Sequence, residues 1–131
     1  MSHLRYDAEA VPVFEHARAL LRETGDRDRE GRMNRNLGHS LRSLRKYPEA
    51  ISAYRLARTL FREAGLPARE GNVCRDLGKV FRQSGRVAEA AAAYREAIVL
   101  FTESGREREL DETKRLLHHL IEPTTSTPKD R

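Results

Sequence analysis

Three short blocks decide the fold of this chain: Leu37-Gly38-x-x-Leu41, then Ala50-x-x-x-Tyr54-x-x-Ala57, then Leu77-Gly78-x-x-Phe81. Leu37 and Leu77 are 40 residues apart, and so are Gly38 and Gly78. Ala90, Tyr94 and Ala97 follow Ala50, Tyr54 and Ala57 at the same interval, and the pattern runs back to Ala10, Phe14 and Ala17. A third series keeps the same step: Leu21 to Gly25, Phe61 to Gly65, and Phe101 to Gly105, each block closing on the glycine. A chain that repeats itself at a fixed period of this size is a solenoid of stacked supersecondary units.

The apolar residues between these marks follow helical spacing, which predicts six helices at about 8–24, 27–45, 47–64, 67–85, 87–104 and 107–121. Residues 1–7 carry no pattern, and Pro12 places the start of the first helix between Ala8 and Pro12, because proline is best tolerated in a first turn. Gly25 stops that helix as a left-handed residue, and Asp26 is a candidate N-cap for the next. Pro48 and Pro67 sit in opening turns. The expected buried set includes Met33, Leu37, Leu41, Leu44, Tyr54, Phe61, Val73, Leu77, Phe81, Val87, Tyr94 and Phe101, with Leu110, Leu116, Leu117, Leu120 and Ile121 on the last helix. The domain expectation is one unit over 1–121: a half-repeat at 8–25, repeats at 26–65 and 66–105, and a closing helix at 106–121. Residues 122–131, polar and holding two prolines, are expected to form a disordered tail.

The motif set resembles the tetratricopeptide repeat, whose first helix carries W-x-x-L-G-x-x-Y and whose second carries A-x-x-x-F-x-x-A. Asn34-x-x-Leu37-Gly38-x-x-Leu41 and Cys74-x-x-Leu77-Gly78-x-x-Phe81 match the first, with Asn34 and Cys74 in place of the Trp. The alanine–tyrosine–alanine blocks match the second. The 40-residue step exceeds the usual 34 and is similar to the long-form repeats of kinesin light chains and of bacterial signalling regulators. The resemblance covers about residues 8–121. It implies an all-α, right-handed solenoid of antiparallel helix pairs, and a scaffold that binds protein partners in a concave groove lined by the first helix of each pair.

Composition bounds the function. The 131 residues hold 25 basic and 20 acidic side chains, for a formal net charge of +5. That surplus is too small to announce a nucleic-acid binder. With a single cysteine, Cys74, no internal disulfide is possible, and Cys74 is expected to be a small core residue. No apolar run reaches the roughly 18 residues of a membrane span, and the N-terminus lacks the apolar stretch of a signal peptide. The expectation is therefore a cytoplasmic protein without a membrane partner. His3, His16, His39, His118 and His119 include no pair at the i, i+4 spacing of a helical metal site, and no glycine-rich phosphate loop is present. The sequence predicts no enzyme, no cofactor and no metal.

Carried position by position, the resemblance puts Arg32, Arg35, Asn36, His39 and Arg42 on the groove from one repeat. The next adds Asn72, Arg75, Asp76, Lys79 and Arg82, and the last helix adds Glu112, Arg115 and His119. Seven fixed cations then face two carboxylates, which predicts an acidic peptide or partner domain. Some family members clamp a terminal carboxylate with a Lys/Asn/Asn/Lys/Arg set. Here His39, Asp76, Glu112 and Leu116 stand in four of the five places, so that clamp is rejected. The second helices carry Arg18, Arg55, Arg58, Arg62 and Arg95, read as exposed.

Two other readings compete with the interaction module. One is an oligomerisation or regulatory segment of a larger bacterial signalling or transcription regulator. It is favoured by the opening half-repeat, whose Val11, Phe14 and Leu21 would expose an apolar edge suited to homo-oligomer contact. The other is a nucleic-acid-binding helical repeat, disfavoured because the groove positions hold no aromatic platform.

Overall fold

The computed structural model describes residues 3–121, so the expected tail at 122–131 lies outside the described residues. Six helices occupy them, with no strand: α1 His3–Thr24, α2 Arg27–Ser43, α3 Tyr47–Glu63, α4 Pro67–Gln83, α5 Val87–Glu103 and α6 Glu107–Ile121. Four of the six are 17 residues long, about 25 Å each at 1.5 Å per residue. Three residues separate each helix from the next after α2, too few for anything but a sharp reversal. Packing runs from each helix to its neighbours in sequence. The result is an all-α solenoid.

The reversals share one construction. Each of these helices ends in a pair of reverse hydrogen bonds, such as Lys46 N–H to Leu41 C=O at 2.9 Å and Arg45 N–H to Arg42 C=O at 2.9 Å. This is the Schellman arrangement, and it needs a left-handed residue at its centre. Arg45, Gly65, Gly85 and Gly105 take that role, and Gly25, where the Asp26 amide donates to the Thr24 hydroxyl instead, shares the left-handed backbone, with φ between 63° and 80° for all of these residues. They fall every 20 residues, one at each junction between successive helices. Arg45 is the exception in chemistry, since a Cβ makes this backbone region unfavourable. Asp26 caps α2 as expected, accepting the Arg29 amide at 3.1 Å.

Glycine also sets how close the helices come. A Cβ at Gly38 would lie 2.6 Å from the Tyr54 ring, and one at Gly78 would lie 2.4 Å from the Tyr94 ring. Gly31 and Gly71, which motif reading passed over, do the same for Phe61 and Phe101, at 2.7 and 2.8 Å. Each pair, α2 with α3 and α4 with α5, is therefore closed by two aromatic rings lying on bare backbone. Tyr54, Tyr94, Phe61 and Phe101 are all buried; Tyr54 and Phe61 share a core with Leu37, Ile51, Val73, Leu77 and Val80, and Phe101 a second one with Cys74 and Ala97.

Several expectations need correction. α1 begins at His3, not at Ala8–Pro12, and carries Pro12 in its interior. Proline there removes one backbone hydrogen bond, but the neighbouring Val11 and Phe14 pack against the core and hold the helix on both sides. Val11, Phe14 and Leu21 are half-buried rather than exposed, and the open apolar face of α1 is carried by Val13 and Leu20. Val87 and Ile121 are exposed, and Met33 and Leu44 only half-buried. On α6 the fully buried residue is Thr113, satisfied by the Glu109 carbonyl at 2.7 Å.

Replacing Gly78 by Ala should destabilise the fold by roughly 1–3 kcal/mol, because the buried Tyr94 ring has no space to retreat. Replacing Arg45 by Gly should act in the opposite direction, raising stability by about 1 kcal/mol through relief of the left-handed backbone. Thermal or urea unfolding of the two variants checks both signs.

Candidate functional site

The residues expected to line a groove lie on α2, α4 and α6, and some of the charges there are already paired. Arg35 of α2 donates from Nε to the Asp76 carboxylate of α4 at 2.7 Å, and Asp76 is buried. Arg75 of α4 reaches Glu112 of α6 at 3.1 Å, also donates to the Asn72 side chain at 3.3 Å, and lies over the Phe101 ring at 5.5 Å. Arg69 of α4 pairs with Asp28 of α2 at 3.3 Å, and Arg32 shares that carboxylate at 3.4 Å. These contacts tie one repeat to the next. Asp76 and Glu112, the two carboxylates placed on the groove by sequence, are thus the partners of Arg35 and Arg75. Of the seven expected groove cations, Arg32, Arg35 and Arg75 are paired, which leaves Arg42, Lys79, Arg82 and Arg115.

The layer beneath them is polar. The His39 Nδ1 and the Tyr54 hydroxyl share a hydrogen bond of 2.7 Å. Burial drives the His39 pKa below its ordinary value, against the pull of Asp76, and Arg35, Arg42 and Lys79 push it the same way as burial. Burial and then Asp76 raise the Tyr54 pKa, so both partners are held neutral. In the next repeat Lys79 replaces His39, and the Tyr94 hydroxyl is buried without a hydrogen-bond partner. Burial raises the Tyr94 pKa. The Arg82 guanidinium is close enough to oppose that rise without closing a hydrogen bond of good geometry. Lys79 itself is half-buried, and its ammonium is held below the usual range by burial, then by Arg75.

The remaining predicted residues lie apart from this cluster. Asn36 and Arg32 edge a groove of about 480 Å³ between α1 and α2, lined by Ala17, Leu20, Leu21 and Met33. Asn72 edges a second hollow of about 350 Å³ where the ends of α4, α5 and α6 meet, beside Leu66 and Phe101. Arg115 and His119 are exposed on α6.

Glu30, Ser40 and Glu70, which the motifs do not mark, are buried on α2 and α4, as are Asn34 and Asp76. Arg18 is half-buried and donates to Asn34 at 3.1 Å. Arg58, also read as exposed, is half-buried and pairs with Glu96 at 3.3 Å, while Arg62 binds Glu70 at 2.8 Å and Glu96 at 3.0 Å. A usable signal did exist. Arg35–Asp76, Arg75–Glu112 and Arg58–Glu96 are opposite charges 41, 37 and 38 residues apart, close to one repeat. Cys74 sits in this second-repeat network, fully buried, with burial and then Glu96 pushing its thiol pKa up, which leaves it an inert core residue as expected. Among the described residues no cluster of His, Cys, Asp or Glu could hold a metal ion, and no helix is long and apolar enough to cross a membrane.

The neutral state of His39 gives a pH dependence. The unfolded chain takes up the imidazole proton near the ordinary value of 6.5, whereas the folded chain takes it up only at lower pH. The unfolded state therefore binds more protons in that window. Stability is full above 6.5 and falls as the pH drops through the folded value. Melting curves between about pH 7 and about pH 5 should show this loss, and His39→Asn should reduce the slope.

Comparison with known proteins agrees with the architecture. A crystal structure of BtubC (BKLC) from P. vanneervenii superposes with a TM-score of 0.67 at 21% sequence identity, covering 86% of this chain and 50% of that one. The likeness is one of fold, and this chain spans half the length of that protein. Comparison with curated proteins finds no match. The sequence model of the tetratricopeptide repeat matches residues 29–103, which take in both complete helix pairs and the rings that close them. By that match, and by the register of its glycines and aromatic residues, the chain belongs to the tetratricopeptide repeat family.

Proposed function

We propose that this chain is a non-catalytic interaction module that holds an acidic peptide, or an acidic segment of a partner domain, along the face formed by α2, α4 and α6. Tetratricopeptide repeats are generally protein–protein interaction modules. The observation that carries the finer reading is the set of cations left over after the repeats have been stapled together. Arg42, Lys79, Arg82 and Arg115 make no ion pair among the described residues, while the carboxylates on the same face are consumed by Arg35 and Arg75. A carboxylate from outside is what the face lacks. Charge-assisted contacts contribute roughly 1.5–3 kcal/mol each where partly buried and far less at an exposed rim, so two or three with some apolar burial reach micromolar binding.

A second reading rests on α1. Phe14 and Leu21 are the counterparts of Tyr54 and Phe61, yet they are half-buried where those are buried. A face of that kind suits contact with another helix, as in a homo-oligomer or a longer regulator.

Fluorescence anisotropy with a glutamate-rich peptide, at low and at physiological salt, tests the main reading. Binding should weaken as salt rises. Arg82→Glu with Arg115→Glu should lower affinity at least about tenfold, and Arg22→Glu with Arg95→Glu, exposed on second-type helices, should leave it within about twofold. Equal losses from the two pairs would mean that the arginines act only through net charge. Stronger binding to single-stranded RNA of the same charge would favour the nucleic-acid reading.

A further inference from the structure

Three of the unpaired cations belong together. Arg42 and Arg82 hold equivalent positions on α2 and α4, 40 residues apart, and Lys79 lies one turn before Arg82. Arg42 and Lys79 are half-buried, so they are not members of a freely solvated charged face. They also sense each other through the fold: Arg42 adds to the depression of Lys79 and, together with Arg82, acts on the Tyr94 hydroxyl. Two polar atoms of this group are shielded from solvent and have no partner, one terminal nitrogen of Arg42 and the Tyr94 hydroxyl. Tyr94 is entirely buried. Clustered like charges and unmet donors both cost stability in the free protein. About two turns earlier on the same helices, Arg35 and Arg75 show how the fold removes that cost when the residues serve structure: each has a carboxylate from the neighbouring repeat.

We propose that Arg42, Lys79, Arg82 and the Tyr94 hydroxyl form an anchor for a compact oxyanion carried on a peptide, either a phosphoryl group or two adjacent carboxylates. The proposal rests on the groove reading above and narrows it to one place. It lies toward the C-terminal ends of α2 and α4, about two turns beyond Arg35 on α2 and about one to two turns beyond Asp76 on α4. The two guanidinium groups supply planar donor forks, the ammonium a point charge and the phenol a single donor. A phosphoryl group, with close to two negative charges and three acceptor oxygens, complements that set better than a lone carboxylate. The neighbouring Asp76 is already satisfied by Arg35 and does not fill the site itself.

The test is a nitrogen–proton NMR titration of the full chain. The probes are inorganic phosphate and one flexible peptide made with phosphoserine, with two glutamates, or with two serines at its centre. Phosphate should move the amides around Arg42 and around Lys79 to Arg82 first. The phosphoserine peptide should bind at least about tenfold tighter than the serine peptide. A glutamate peptide that binds tightest would identify adjacent carboxylates as the source of the anion. Arg42→Met and Lys79→Met should each cost about tenfold, clearly more than Arg115→Met, a groove cation outside the anchor, while Arg95→Met on α5 should stay within about twofold. Arg42→Lys, which keeps the charge but not the fork, should retain part of the affinity and shows that loss in Arg42→Met is not misfolding. Equal losses at Arg42, Lys79 and Arg115 would remove the anchor and leave the groove reading intact. No loss at any of the three, or no binding of either charged peptide, would remove both. Phosphate shifts spread evenly over all arginine-bearing helices would also overturn the anchor.

Discussion

The contact between an aromatic ring and a bare stretch of helix backbone governs this molecule. Tyr54 lies on Gly38 and Tyr94 on Gly78, while Phe61 and Phe101 lie on Gly31 and Gly71. A side chain of any size at the four glycines would move the helices apart, because the rings are enclosed on all sides. The distance between the two helices of a pair is thus fixed at two levels, seven residues apart on each helix. With the distance fixed, the angle between them is fixed too, and so is the face that each first-type helix turns outward. Side-chain packing at this density leaves little room for adjustment.

The second constraint is electrostatic and acts between repeats rather than within them. Arg35 with Asp76, Arg69 with Asp28, and Arg75 with Glu112 link first-type helices. Arg58 and Arg62 with Glu96 link second-type ones. Exposed pairs of this kind contribute little one at a time. Asp76 is different, since its carboxylate is buried and loss of Arg35 would leave it unpaired. Arg35 and Arg75, the most prominent groove cations in the sequence, are therefore part of the scaffold. Substituting either one would disturb the stacking of the repeats, whereas Arg42, Lys79, Arg82 and Arg115 make no ion pair among the described residues.

The two ends of the array differ in chemistry. α6 has Asp111 and His118 at the positions where α2 and α4 have the ring-bearing glycines, so it cannot receive a further helix in the same way. α1 keeps the aromatic and aliphatic residues of a second-type helix, in Phe14 and Leu21, and leaves them half-covered.

The sequence alone determined the repeat, the helix class and the order of the elements, because period, turn glycines and small-residue positions are properties of single residues at fixed spacing. Gly38 and Gly78, Tyr54 and Tyr94, and Gly25, Gly65 and Gly105 could all be read this way. It did not reveal the left-handed Arg45, since that residue has no special chemistry and only the matching turn geometry exposes it. It also placed the start of α1 too late, because the local preference of Pro12 was outweighed by packing on both sides of it. The residues expected to line a groove fall on α2, α4 and α6, but which of their charges are paired was not legible. Whether an arginine is free or paired depends on which carboxylate stands across the next repeat, about 40 residues away. That is set by the angle between stacked helices, and only the tertiary structure decides it.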